Sequence, residues 1–249
     1  MKLGNKVAII TGGSVGIGRR TAERFIEEGA TVVICSRSEE TGIATASEIG
    51  CTFIQTDVSD PAQVENLVNQ TVEMHGKLDI LVNNAAITGD QAHIADTTLE
   101  NWNQVTSINL NGVFYGMKYA LKHMEGRGSG VIINIVSTVG MVGFPHVPAY
   151  GAAKAGVINL TMAGAAGYAP KGIRVNAIAP SVVETPMLTG FINNSPDPAA
   201  RRAEFDAYNP YPGLVTTDSI AGAAVFLASD DGEFINGHTL AVDGGYTAI

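Results

Sequence analysis

Ser137, Tyr150 and Lys154 are the residues whose types and spacing suit them best to chemistry. Tyr150 and Lys154 stand at i and i+4 in Ala-Tyr-Gly-Ala-Ala-Lys, so on a helix both project from one face. Ser137 lies upstream of the pair. A phenol beside an ammonium makes an acid/base, because the positive charge favours phenolate and lowers the tyrosine pKa. An unperturbed tyrosine, pKa ~10, is only about one part in a thousand ionised at neutral pH, so full activation needs ~4 kcal/mol. A partly desolvated lysine together with a cationic cofactor can supply that, whereas a solvent-exposed lysine cannot. Tyr-x-x-x-Lys alone recurs by chance, so the elements around it decide its meaning.

Those elements alternate. Short apolar runs at 7–10, 31–34, 52–54, 78–82, 131–136, 173–178 and 239–242 are separated by helical patterns near 17–28, 39–48, 61–75, 100–124, 149–168 and 218–228. Runs that are apolar on successive residues are buried on both faces, which predicts a mostly parallel sheet between helix layers. The fold class expected is α/β, a Rossmann-type doubly wound sheet of seven strands with helices on both faces. No linker or charge run divides residues 1–249, so one domain is expected. Its one irregular stretch, about 185–215, carries five prolines (186, 196, 198, 210 and 212) and reads as a cover over a site.

The first apolar run leads into Thr11-Gly12-Gly13-Ser14-Val15-Gly16-Ile17-Gly18, and a helix follows. Glycines there permit a tight turn and close approach to a pyrophosphate, and the helix amino terminus offers free N–H groups to the anion. Position after a first strand makes this a dinucleotide-binding turn, with a nucleoside-binding methyltransferase as the other Rossmann-like reading. The glycines are spaced Gly-x-x-x-Gly-x-Gly. Together with Asn84-Ala85-Ala86, Asn109 in Asn-Leu-Asn-Gly, and the Ser137/Tyr150/Lys154 set, the chain resembles the short-chain dehydrogenase/reductase family, in its short single-domain branch. The resemblance runs from Lys6 to the closing Val-Asp-Gly-Gly-Tyr246.

That resemblance implies a hydride-transfer site. Tyr150 would be the acid/base, and Lys154 would lower its pKa and bind the nicotinamide ribose. Ser137 would orient the substrate carbonyl, and Asn109 would anchor a water linking Lys154 to solvent. Gly12, Ser14, Gly16, Ile17 and Gly18 match the phosphate turn. Asp57 and Val58 match the adenine pocket, Asn84 and Ala85 the adenosine-side ribose wall, and Pro180, Val183 and Thr185 the carboxamide segment. Ala86 and Ser181 stand where the family usually has glycine, without loss of a functional side chain. Asp57 could instead cap the helix at 61–75, but Asp60 is the better cap, with Pro61 at the first helical position.

Cofactor choice falls at the end of the second strand, where an acidic residue selects NAD. Here the residues are Cys35-Ser36-Arg37-Ser38, so Arg37, helped by Ser36 and Ser38, is expected to pair with a 2′-phosphate and favour NADP(H), with NAD(H) possible. A second basic residue common in NADP-preferring relatives is Val15 here. The substrate pocket is expected from Val139, Met141, Val142, Phe144 and His146, with Met187, Leu188 and Phe191 from the cover. These are mostly apolar, and none forms a carboxylate-binding pair with a nearby arginine, which suits a neutral ketone or secondary alcohol.

The reading is a carbonyl reductase or alcohol dehydrogenase. The alternatives are a 3-oxoacyl-[acyl-carrier-protein] reductase, for which Arg201 and Arg202 are the only entrance cations, and an NAD(H)-dependent sugar, polyol or steroid dehydrogenase. A non-catalytic dinucleotide sensor is the different-class alternative. Composition sets the outer limits. Net charge is −9, and no basic cluster exceeds a pair, which excludes a nucleic-acid surface. Cys35 and Cys51 are the only cysteines, too few for a zinc site or disulfide framework, and no metal is expected. With no membrane-length apolar stretch and no secretory leader pattern, the chain is expected in the cytoplasm. Small residues on several faces of the 149–168 helix, read with the family, suggest a homotetramer.

Overall fold

The computed structural model describes all residues from Met1 to Ile249. Seven strands form one wholly parallel sheet in the order β3-β2-β1-β4-β5-β6-β7. They are β1 (Val7–Thr11), β2 (Thr31–Ser36), β3 (Thr52–Gln55), β4 (Ile80–Asn83), β5 (Gly130–Ile135), β6 (Ile173–Pro180) and β7 (Thr239–Val242). The unbroken apolar runs have the cause expected of them, because successive side chains enter opposite cores. Ile9, Val33, Leu81 and Ile132 pack on one face, and Ala8, Ile10, Ile34, Ile80 and Ile133 on the other.

The helices are α1 (Gly16–Glu27), α2 (Glu39–Ile49), α3 (Pro61–His75), α4 (Leu99–Thr106), α5 (Gly112–Arg127), α6 (Pro148–Tyr168), α7 (Pro186–Asn193), α8 (Pro198–Asp206) and α9 (Thr217–Ala228). Asp60 caps α3 by accepting from the Ala62 and Gln63 N–H groups, with Pro61 opening the helix, as its sequence predicts. The single helix expected at 100–124 is interrupted. A wider π-type turn at Ser107–Asn111 separates α4 from α5. Ser-Ile-Asn-Leu-Asn holds neither proline nor glycine, so nothing in the pattern flags the break.

Chain order reverses between β1 and β4, and a crevice opens there at the carboxyl ends of the strands. Thr11 ties its walls together: its hydroxyl accepts from the Asn84 and Ala85 N–H groups at 2.9 and 3.0 Å. At the opposite end of the same strands, Asp79 is nearly buried. Its Oδ2 accepts from the Val7 N–H at 2.8 Å and lies 3.1 Å from Lys77 Nζ, and its Oδ1 accepts from Arg127 at 3.0 Å. Burial pushes this carboxyl up, but the Val7 N–H, Lys77 and Arg127 outweigh it and hold the pKa below the ordinary aspartate value. Asp79→Ala leaves the Val7 N–H unpaired and should cost about 3 kcal/mol of stability, measured by urea unfolding at neutral pH. Because the folded pKa is depressed, this contribution is complete above the unfolded value of ~3.9. It drains as pH falls through the folded value, so mutant and parent should converge in acid.

Candidate active site

The crevice contains a cavity of about 560 Å³. Its first wall is the turn after β1. Gly12 and Gly16 have φ of 63° and 55°, a left-handed backbone that side chains resist. Helix α1 opens at Val15 with no side-chain cap, so its first N–H groups face the cavity unclaimed. Asn84 braces the turn from β4, donating its amide to the Thr11 and Gly12 carbonyls at 2.9 and 3.2 Å. Gly18 does not line the cavity, contrary to its expected place as a contact. A Cβ there would sit 2.3 Å from the Gly12 carbonyl oxygen and 2.5 Å from Asn84 Nδ2, so its bareness lets helix and turn close on each other.

Gly12, Ser14, Gly16, Ile17, Ser36, Arg37, Asp57, Val58, Asn84 and Ala85 all line this cavity, as do Pro180, Val183 and Thr185. Asp57 holds its own loop, accepting from the Ser59 N–H and hydroxyl at 2.9 and 2.7 Å. Thr185 caps α7 through the Leu188 N–H. Ser36 donates its hydroxyl to the Ser38 carbonyl, and Ser38, which caps α2 by accepting from the Thr41 N–H, donates its own to Thr41 Oγ1, so both hydroxyl protons are engaged. Arg37 is exposed, and its side chain has neither an ion pair nor a hydrogen bond; only its carbonyl is engaged, by Gln55.

The second wall brings the chemistry together. Ser137 follows β5, and α6 places Tyr150 and Lys154 one turn apart, all three on the cavity. Lys154 is 2% exposed; its Nζ donates to the Ile135 carbonyl at 2.8 Å and lies 5.5 Å from the Tyr150 ring centroid. Burial pulls Lys154 down to about 8. Burial also pushes Tyr150 above the ordinary tyrosine value, against the smaller pull of its hydrogen bond with Ser137. The expected lowering of Tyr150 is therefore not seen in the chain itself, where burial is the largest influence on the phenol.

Asn109 is fully buried, outside the cavity. Its carboxamide accepts from the Ile87 N–H at 2.9 Å and donates to the Ile87 carbonyl at 2.7 Å. Those two bonds tie the side chain to the main chain after β4 and leave its amide one further N–H.

The third wall is the cover. Met187 and Leu188 on α7, with Phe191, face Val139 and Phe144 across the cavity. Met141 and Val142 do not reach it and are 44% and 38% exposed, because the loop after Ser137 turns outward at Thr138–Gly140. His146 lines a neighbouring hollow instead. Among the lining residues that the sequence reading did not place in this pocket are Arg201, Phe205 and Tyr208, from α8 and just beyond it. Which residues of the 185–215 segment turn inward depends on how α8 packs, which periodicity does not encode.

A family model described as enoyl-(acyl carrier protein) reductase matches residues 12–247. The chain is 42% identical over 248 residues to cis-4-hydroxycyclohexanecarboxylate dehydrogenase of Sinomonas cyclohexanicum, covering 98% of this chain and 97% of that one. This chain belongs to the short-chain dehydrogenase/reductase family. It is 38% identical over 254 residues to the NADP-dependent (R)-specific alcohol dehydrogenase of Lentilactobacillus kefiri, covering 99% and 98% of the two chains. The crystal structure of levodione reductase superposes with a TM-score of 0.96 at 37% identity over 99% of both chains. The family binds a nicotinamide dinucleotide, and the turn fits one: bare glycines, free helix N–H groups and a cavity running on to Tyr150. Gly18→Ala should raise the dinucleotide Kd about tenfold or more in a fluorescence titration, since the added Cβ forces turn and helix apart.

Proposed function

We propose that the protein interconverts a ketone and a secondary alcohol with NADP(H), Tyr150 acting as acid/base. The supporting observation is the convergence of Ser137, Tyr150 and Lys154 on the cavity that the glycine turn and Arg37 also line. The dinucleotide supplies or accepts the hydride when bound, and its oxidised ring carries positive charge. Tyr150 gives its proton to the substrate oxygen in reduction and takes it back in oxidation. Its raised pKa keeps the phenol protonated at neutral pH, which suits reduction. Ser137 holds the substrate oxygen against the phenol, and Lys154 supplies positive charge from below, held in place by the Ile135 carbonyl. Asn109 acts through Ile87, fixing the wall that follows β4.

The apolar faces of Val139, Phe144, Met187, Leu188 and Phe191 favour a carbon ring or chain around the reacting carbon. The relative named for a hydroxycyclohexanecarboxylate supports a cyclic secondary alcohol. An acyl-carrier partner is disfavoured, because Arg202 is taken by Asp206 and Glu184 at 2.9 and 3.2 Å and Arg201 turns to the cavity. The retained serine, tyrosine and lysine speak against a catalytically silent sensor. NADPH oxidation screened over cyclohexanones, keto esters, keto sugars and quinones tests the reading. Turnover of none of them, with either dinucleotide, would sink it.

A further inference from the structure

Arg201 has no part in the hydride-transfer site, yet it lines the cavity. Its guanidinium carbon lies 4.6 Å from the centroid of Phe205 and 5.5 Å from that of Phe191, and these rings meet edge to face at 6.2 Å. Stacking of this kind fixes the plane of the guanidinium and strips it of water on its flat faces. One nitrogen, Nη1, pairs with Glu204 at 2.6 Å, while Nε and Nη2 meet no acceptor in the protein. Glu204 is itself 60% exposed against 27% for Arg201, so solvent weakens that pair and the arginine is the more buried partner.

The charge around it is uneven. Arg37, Lys154 and Arg201 are the only lysines or arginines lining the cavity, and Arg37 and Lys154 belong to the dinucleotide and the acid/base. The one lining carboxylate, Asp57, lies among the residues of the dinucleotide end and is bound to Ser59. Gln91, Phe191 and Arg201 also line the neighbouring hollow, where His146, Asn194 and Ser195 add polar side chains. Asp90 is the only carboxylate there; it is exposed and has no ion pair, and its main chain is tied to Asn101. The cover side of the cavity thus presents a partly desolvated cation, packed against two aromatic rings, with two guanidinium nitrogens unpaired.

Resting on the oxidoreductase reading above, the geometry points to Arg201 as an anion subsite: the substrate is a ketone or secondary alcohol carrying a carboxylate remote from the reacting carbon. A planar carboxylate matches the guanidinium edge that Glu204 leaves open. This departs from the neutral substrate expected from the sequence, which rested on a mostly apolar lining and no carboxylate-binding pair with an arginine.

The test compares 4-oxocyclohexanecarboxylate with its methyl ester, using the full chain and NADPH. The unmutated protein should favour the acid in kcat/KM. Arg201→Gln should reduce the acid-to-ester ratio by about tenfold or more, chiefly through KM, and Arg201→Lys should restore part of it. Glu204→Gln frees the guanidinium and should raise the ratio, which keeps the idea testable if Arg201→Gln disturbs α8. An unmutated protein indifferent to the charge, an unchanged ratio in a folded Arg201→Gln, or no rise in Glu204→Gln overturns the inference while leaving the reaction class standing. No turnover of acid, ester or any neutral ketone overturns both.

Discussion

Tyr150→Phe should lower kcat for ketone reduction by about a thousandfold, within the range ascribed to a positioned proton donor. Phenylalanine keeps the ring against Lys154 and preserves the cavity wall, so only the hydroxyl is lost. Ser137 retains its contacts with the Val139 N–H and the Pro180 carbonyl, at 3.3 and 3.5 Å, and does not collapse into the gap. Dinucleotide affinity, read by fluorescence titration, should change little, because the glycine turn and the braces from Asn84 lie on another wall. The loss should fall on kcat more than on KM, since the proton is needed as negative charge develops on the oxygen. A variant that keeps a tenth or more of the activity would remove Tyr150 from the acid/base role.

The electrostatics of this site were only half legible in the sequence. The i, i+4 spacing placed Tyr150 and Lys154 on one helix face, and the alternation of apolar runs placed that helix against a parallel sheet; both follow from local periodicity. The direction of the Tyr150 shift did not follow, because it depends on burial, which tertiary packing sets. The partner of Lys154 was equally out of reach: its ammonium donates to a carbonyl at the end of β5, remote in sequence. Asn109 teaches the same lesson. Its type marked it as important, but its partner, Ile87, and the π-type turn that carries it are settled by tertiary contacts. Arg201 was visible as a charge near the entrance; its stacking on Phe191 and Phe205 joins two helices, and no spacing rule reaches across that proline-punctuated loop.

Arg37→Asp should shift the NADPH-to-NADH ratio of kcat/KM toward NADH by about a hundredfold or more. A lost charge-assisted hydrogen bond contributes about 1.5–3 kcal/mol, and like-charge repulsion of a 2′-phosphate adds to it. Position matters as much as charge. Arg37 immediately follows β2, its carbonyl is fixed by Gln55 Nε2 at 3.0 Å, and it lines the cavity. Glu39 and Glu40, at the start of α2, leave its guanidinium without an ion pair, so the cation is free for a ligand. Ser36 would have to give up its bond to the Ser38 carbonyl to donate to a phosphate, so the larger share falls to Arg37. If that one exposed arginine carries the selection, the preference of the unmutated protein should also shrink as salt rises, through screening. An aspartate at 37 would accept from the ribose hydroxyls of NADH instead, so its preference should respond far less to salt. An unmutated protein that favours NADH, or a ratio that Arg37→Asp leaves in place, would move the selection to the rest of the turn.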